Sequence, residues 1–203
     1  MALDTYSGLQ TAIGDFLNRS DLTAAIPDFI RLAEAQMQRD IRHWRMEKRA
    51  TATIDARFSA VPSDFLALIR IQPKLTERPL LLATADEMQT RRAYDNNTAG
   101  LPEYVAVIGG EFEFYPTPDD DYTAELLYRR TIPALSDSNT TNWLLDLAPD
   151  AYLYGALLQT APYLQEDVRI GAWGQLYQNV VNGLNRESKR GKHGGPLIMR
   201  QPQ

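Results

Sequence analysis

The chain contains no cysteine. That excludes a disulfide framework and any thiolate metal site. Histidine is scarce: His43 and His193 are the two in the chain. A serine triad or a His-rich metal centre needs a placed imidazole with oriented partners. His43 falls beside Trp44 in a predicted helix and His193 in a glycine-rich terminal stretch, which offers neither chemistry a site. Basic charge is not in excess either. The net charge is −5, whereas a dedicated nucleic-acid binder usually carries a basic face and a high pI. No run of about eighteen apolar residues is present, so no membrane-spanning helix is expected. Met1-Ala2-Leu3-Asp4-Thr5 has neither a basic n-region nor an apolar h-region, so no signal peptide is expected. No internal repeat is visible.

What is present is an ordinary globular composition. Hydrophobic residues make up 44% and charged residues 23% of 203 residues. That length suits one domain, or a domain with an insertion.

The first periodic segment places Leu9, Ala12, Ile13, Phe16 and Leu17 on one helical face, predicting a helix from about Tyr6 to Asn18. Pro27 suits the first turn of a second helix, predicted to run to about Glu47 with Ile26, Ile30, Ala33, Met37, Ile41 and Trp44 as its apolar stripe. At 100° per residue Arg31, Arg42, Arg45 and Arg49 fall on one adjacent side, with Arg39 nearby. Two readings of these arginines stay open. One is a solvated face with Asp40 and Glu47 as local partners. The other is a contact surface for a neighbouring subunit, since arginine is enriched at interfaces.

From Arg49 the period changes to two, predicting a strand through Asp55 and a second from Leu66 to Gln72, ended by Pro73. Val61-Pro62-Ser63-Asp64-Phe65 reads as a turn or a single helical turn, and Pro79-Leu80-Leu81-Leu82 as a short edge strand. Thr84-Ala85-Asp86-Glu87 is a capping box, predicting a helix to about Tyr94. Tyr104–Ile108 and Glu111–Tyr115 flank Gly109-Gly110, which tolerates the positive φ of a type I′ hairpin turn. Thr123–Arg130 supplies a further strand with Ala124, Leu126 and Tyr128 on one face.

Pro149 and Asp150 fit the first turn of a helix that is apolar nearly all round and ends before Pro162. A last helix, from Glu166 to about 185, carries Ile170, Trp173, Leu176, Tyr177, Val180, Val181 and Leu184 as its stripe. The fold class is therefore α+β: N- and C-terminal helices form a helical bundle, with an antiparallel β-sheet and hairpin region inserted. Residues 1–188 read as a single domain, helical over 5–48 and 142–188, with a β-rich insertion at about 50–130 and a short helix at 85–94. Residues 189–203, with Gly191, Gly194 and Gly195, read as a flexible C-terminal arm.

No motif carries catalysis. Asp119-Asp120-Asp121 lacks EF-hand spacing and reads as a solvated loop. Glu111 and Glu113 share a strand face, where exposed carboxylates usually solubilise. Gly109-Gly110 lacks the strand and helix of a phosphate loop. Trp143 and Trp173 fit core or interface anchors. The expectation is no catalytic residue, no metal and no cofactor.

The order of several segments resembles a known family. Ile26-Pro27-Asp28-Phe29-Ile30-Arg31-Leu32-Ala33-Glu34-Ala35, Val61-Pro62-Ser63-Asp64-Phe65, the Gly109-Gly110 hairpin with Tyr115-Pro116, Thr141-Asn142-Trp143-Leu144-Leu145, Pro149-Asp150 and Ala161-Pro162-Tyr163-Leu164 with Trp173 together resemble the head-to-tail adaptors of tailed bacteriophages. The likeness is to the tail tubular protein A type of short-tailed phages, over about residues 5–185. It implies a structural protein of the virion at the head–tail junction, assembled in the host cytoplasm. Its implied partners are the portal protein, tail or nozzle proteins, and copies of itself in a homo-oligomeric ring, commonly about twelve with head-to-tail interfaces. Double-stranded DNA would pass without sequence-specific binding, and no membrane is involved. The interface residues expected on this reading are Arg31, Arg39, Arg42, Arg45, Arg49, Lys189, Arg190, Lys192, Leu197, Ile198 and Met199. The alternative kept beside it is a non-catalytic oligomeric interaction module or a small regulatory nucleic-acid-binding protein.

Overall fold

A computed structural model describes residues 3–19, 21–96, 98–164 and 168–192. In chain order the elements are α1 (Tyr6–Leu17), α2 (Ile26–Asp40), β1 (Glu47–Ile54), β2 (Phe58–Ala60), β3 (Phe65–Pro73), β4 (Leu81–Leu82), α3 (Ala85–Tyr94), β5 (Tyr104–Ile108), β6 (Glu111–Tyr115), β7 (Tyr122–Arg130), α4 (Trp143–Leu147), α5 (Pro149–Gln159) and α6 (Arg169–Lys192). Helices at both ends with strands between them make the protein α+β. The chain divides into two compact units: Met1–Arg45 with Ile132–Gln203, and Met46–Thr131. Each unit has its own core.

The helical unit is built on α5. Ala151, Tyr152, Leu153, Gly155, Ala156 and Leu157 are all buried, because α1, α2 and α6 each pack on it. Gly155 permits the closest approach. A Cβ placed there would lie 3.4 Å from the Ala33 Cβ of α2 and 3.4 Å from the Tyr177 ring of α6. Trp173, Tyr177, Val181 and Leu184 of α6 are buried as the periodicity predicts, but Leu176 lies 41% exposed, so the true stripe is narrower. On α1, Phe16 likewise turns out of the core.

A polar network fastens the linker that returns from the strands. Glu34 of α2 accepts from the Leu135 amide at 2.8 Å and the Tyr152 hydroxyl at 3.2 Å. Asn142 donates to Pro133 O and to the Tyr152 hydroxyl, both at 2.6 Å, and its Oδ1 caps α4 by accepting from Leu144 N and Leu145 N. Burial pushes the Glu34 carboxyl above its ordinary value.

The β unit holds two sheets rather than the single antiparallel one expected. One has the order β1-β7-β3; the other has the order β2-β6-β5-β4, with β4 parallel to β5. Ile54, Ile71, Val105, Phe112, Phe114, Ala124, Leu126 and Tyr128, from both sheets, form its main core. The hairpin is as read from sequence: Gly109 and Gly110 take φ of +61° and +89°, where a Cβ is strained. Thr84 and Glu87 form the capping box that starts α3. Met88 of that helix covers Ala106 and Tyr115 on the second face of the β5–β6 hairpin.

That second face changes the standing of Glu113, which the sequence placed in solvent. It is buried and paired with Arg57 at 2.8 Å and Arg92 at 3.3 Å, because α3 lies over it. At the turn before β3, Asp64 accepts from the Tyr128 hydroxyl at 2.6 Å and from Lys48 at 2.8 Å. The Lys48 bond, then the Tyr128 bond, hold its carboxyl below the ordinary carboxylate value. A depressed folded pKa contributes stability above the unfolded value, about 3.9, which is lost as pH falls through the folded value. Asp64→Asn is therefore expected to lower the melting temperature at pH 7. The gap to wild type should close as melts are repeated below about pH 4. A gap independent of pH would reassign the effect to packing.

Candidate assembly surface

The residues singled out for assembly do not share one helix face. α2 stops at Asp40, seven residues before the periodicity predicts, and Ile41 is extended and fully buried. Arg31 and Arg39 are on α2; Arg42 is on an irregular segment and Arg45 in the short 3-10 turn Trp44–Met46; Arg49 is on β1 in the other unit, 3.9 Å from Glu125. His43 and Trp44 therefore also leave the predicted helix.

The cause of the early stop is α6. Asn185 donates from Nδ2 to Asp40 O at 3.0 Å and accepts the Arg42 amide at Oδ1 at 2.6 Å. Ser188 Oγ accepts the Trp44 amide at 2.9 Å. These side chains take amides and a carbonyl that a continuing α2 would have bonded to itself. His43 is buried and stacked on Trp143 at 5.3 Å and 22°, and burial pushes its imidazole below the ordinary value. Arg45 lies over the Trp44 ring at 5.5 Å. Trp44 is 45% exposed and abuts Gly191, whose added Cβ would sit 3.6 Å from the indole Nε1.

α6 extends to Lys192, so the arm expected from residue 189 does not begin there. Lys189, Arg190 and Lys192 form the last turn of the helix, where cations offset the negative end of the dipole. The C-terminal ends of α2 and α6 are thus clasped side by side. This end of the helical unit carries Arg39, Arg42, Arg45, Arg186, Lys189, Arg190 and Lys192 against Asp40 and Glu187. Arg31, exposed on α2, lies two turns from Arg39 and apart from this end. Leu197, Ile198 and Met199 lie outside the described residues.

Sequence reasoning passed over Asn185 and Ser188. A signal for Ser188 existed: it continues the Tyr177, Val181, Leu184 spacing at the next position of the same face. For Asn185 no local signal marks a side chain that caps a distant segment.

Among the described residues no cluster of three or more His, Asp or Glu that could hold a metal occurs. In the Asp119 loop, Asp119 accepts the Tyr122 hydroxyl and Asp120 accepts the Asp121 amide at 2.8 Å, so these carboxylates serve the turn. Asp119 pushes the Tyr122 hydroxyl up to about 12. Among the described residues no helix is long and apolar enough to cross a membrane. A comparison with curated proteins finds no match. The family model described as SU10 adaptor protein matches residues 4–200, nearly the whole chain and both of its compact units. The chain therefore belongs to the SU10 adaptor protein family, a family of phage head-to-tail adaptors with a structural role in the virion.

Proposed function

We propose that copies of this chain form a ring of about twelve beneath the portal, join portal to tail, and surround the channel through which duplex DNA passes without sequence-specific contact. The basic end of the helical unit is the subunit contact. Arg39, Arg42, Arg45, Lys189, Arg190 and Lys192 meet carboxylates of the next copy, and residues 193–203 reach the portal or an adjacent copy. Arg31 and Arg49, apart from that end, are secondary contacts.

The observation that carries this reading is the clasp. It holds an exposed Trp44 with Arg42 and Arg45 beside the last turn of α6, from which residues 193–203 depart. Tryptophan and arginine are the residues most enriched among strong interface contacts. The clasp uses the Arg42 backbone amide and leaves its side chain exposed, so charge can be reversed there without touching the clasp.

The test joins two variants. Arg42→Glu with Arg45→Glu is expected to keep the wild-type circular dichroism while lowering the oligomer fraction seen by light scattering. Deletion of residues 193–203, which spares all of α6, is expected to leave the melting temperature of the free protein unchanged. It should also cut the yield of tailed particles when the variant complements a defective phage. A normal particle yield from both variants would remove this end of the molecule from the assembly mechanism.

A further inference from the structure

His43 sits in the middle of the clasped segment, between the Arg42 amide held by Asn185 and the Trp44 amide held by Ser188. It is 2% exposed, and its ring stacks on Trp143 at 5.3 Å. Its Nδ1 accepts the Arg45 amide at 3.2 Å, so Nδ1 carries the lone pair and Nε2 the proton. That Nε2–H is buried with no acceptor among the described residues, and so is the Nε1–H of Trp143. A second proton therefore has one place to enter. At Nδ1 it would point at the Arg45 N–H and end the bond that shapes this turn. The ring would then hold two donors and a charge where water does not reach, which is costly without partners.

The charged groups around the ring do not make good this loss. Burial is the first influence and lowers the imidazole pKa; Glu187 of α6 works against it, and Arg45 adds to it. The carboxylates of the other elements packed here are engaged elsewhere. Asp40 of α2 accepts the Tyr177 hydroxyl at 3.0 Å, and Asp146 of α4 accepts the Thr141 hydroxyl at 2.6 Å. A histidine whose folded pKa is depressed contributes stability above its unfolded value, about 6.5, and that stability is lost as pH falls below it.

We propose that His43 is a proton-operated latch: in mild acid a proton at Nδ1 breaks the turn to Arg45 and frees the segment from Ile41 to Arg45 from α6. The Asn185 and Ser188 bonds to the Arg42 and Trp44 amides are what it releases. The exposed Trp44 indole and the Arg42 and Arg45 side chains then lose their fixed arrangement. The latch goes beyond the adaptor reading, because it concerns whether this segment keeps its shape, whatever the segment touches. Where that end is a subunit contact, the latch also makes assembly sensitive to acid.

Two histidines in the chain mean two imidazole signals in a proton NMR titration, and His193→Asn removes one and so assigns the other. In the full-length protein His43 is expected to titrate below His193. The protection of the Arg42 and Trp44 amides against hydrogen exchange should fall about tenfold or more between about pH 7.5 and about pH 5.5. His193→Asn should keep that fall. His43→Asn puts an amide oxygen near the Nδ1 position, where it can accept the Arg45 amide but takes up no proton, so its protection should stay level over the same range. Glu34, whose carboxyl is also raised by burial, titrates in both variants and cannot produce the difference between them. His43 titrating at or above His193, level protection in the wild type, or the same fall in His43→Asn would each overturn the latch. If His43→Asn does not fold, the wild-type and His193→Asn measurements still decide the point. An opening latch with an unchanged oligomer fraction in light scattering would remove this end from the subunit contact and leave the latch in place.

Discussion

Leu157→Ala is expected to lower the free energy of unfolding by about 2–5 kcal/mol in a urea titration. Leu157 is fully buried on α5, the helix on which α1, α2 and α6 all pack. Truncation removes the transfer energy of the lost methyl groups and leaves a cavity. Leu176→Ala is the matched control, because Leu176 is on α6 but 41% exposed, and it is expected to cost less than about 0.5 kcal/mol. A loss below about 1 kcal/mol at Leu157 would mean that α5 is not the centre of the helical unit.

The second large effect is expected at Arg92 in the β unit. Its guanidinium donates to Glu113 at 3.3 Å, to Thr117 Oγ1 at 2.9 Å and to the Phe114 carbonyl, and its side chain is 4% exposed. Burial, the first influence on it, pulls its pKa below the ordinary arginine value, and Glu113 works against that shift. Arg92→Ala is expected to cost about 3–5 kcal/mol, because breaking a buried pair leaves polar groups without compensation. Arg57 binds the same carboxylate at 2.8 Å but is 37% exposed. Arg57→Ala should therefore cost under about 1 kcal/mol, water replacing much of what is lost. Denaturant unfolding of both variants decides the point. Similar losses would mean that α3 is held by Met88 and its apolar contacts rather than by the ion cluster.

The elements that were legible in the sequence are those whose determinants are local. The Gly109-Gly110 turn and the Thr84–Glu87 capping box need only residues a few positions apart. The alternation of Ala124, Leu126 and Tyr128 needs only one buried face. What failed had a distant cause. The periodicity of α2 continues past Asp40, but Asn185 and Ser188 of α6 offer the backbone other partners, and the helix ends. The two carboxylates of β6 look alike in sequence, yet Glu113 is buried because α3 covers it while Glu111 stays exposed. The basic residues proposed for assembly could be picked out of the sequence as a set but not as a place, since Arg49 belongs to another unit.

By itself, then, the sequence determined the class of the protein. No cysteine, two histidines, an acidic balance and an ordered series of structural segments leave an α+β reading and the adaptor resemblance, because those depend on composition and on spacing along the chain. Only the tertiary structure decided that the strands form two sheets, that α6 runs to Lys192, and that the C-terminal ends of α2 and α6 are clasped at one basic end. Each of these is set by contacts between residues far apart in sequence, as Arg42 and Asn185 are, and a periodic pattern within one segment carries no information about its partner.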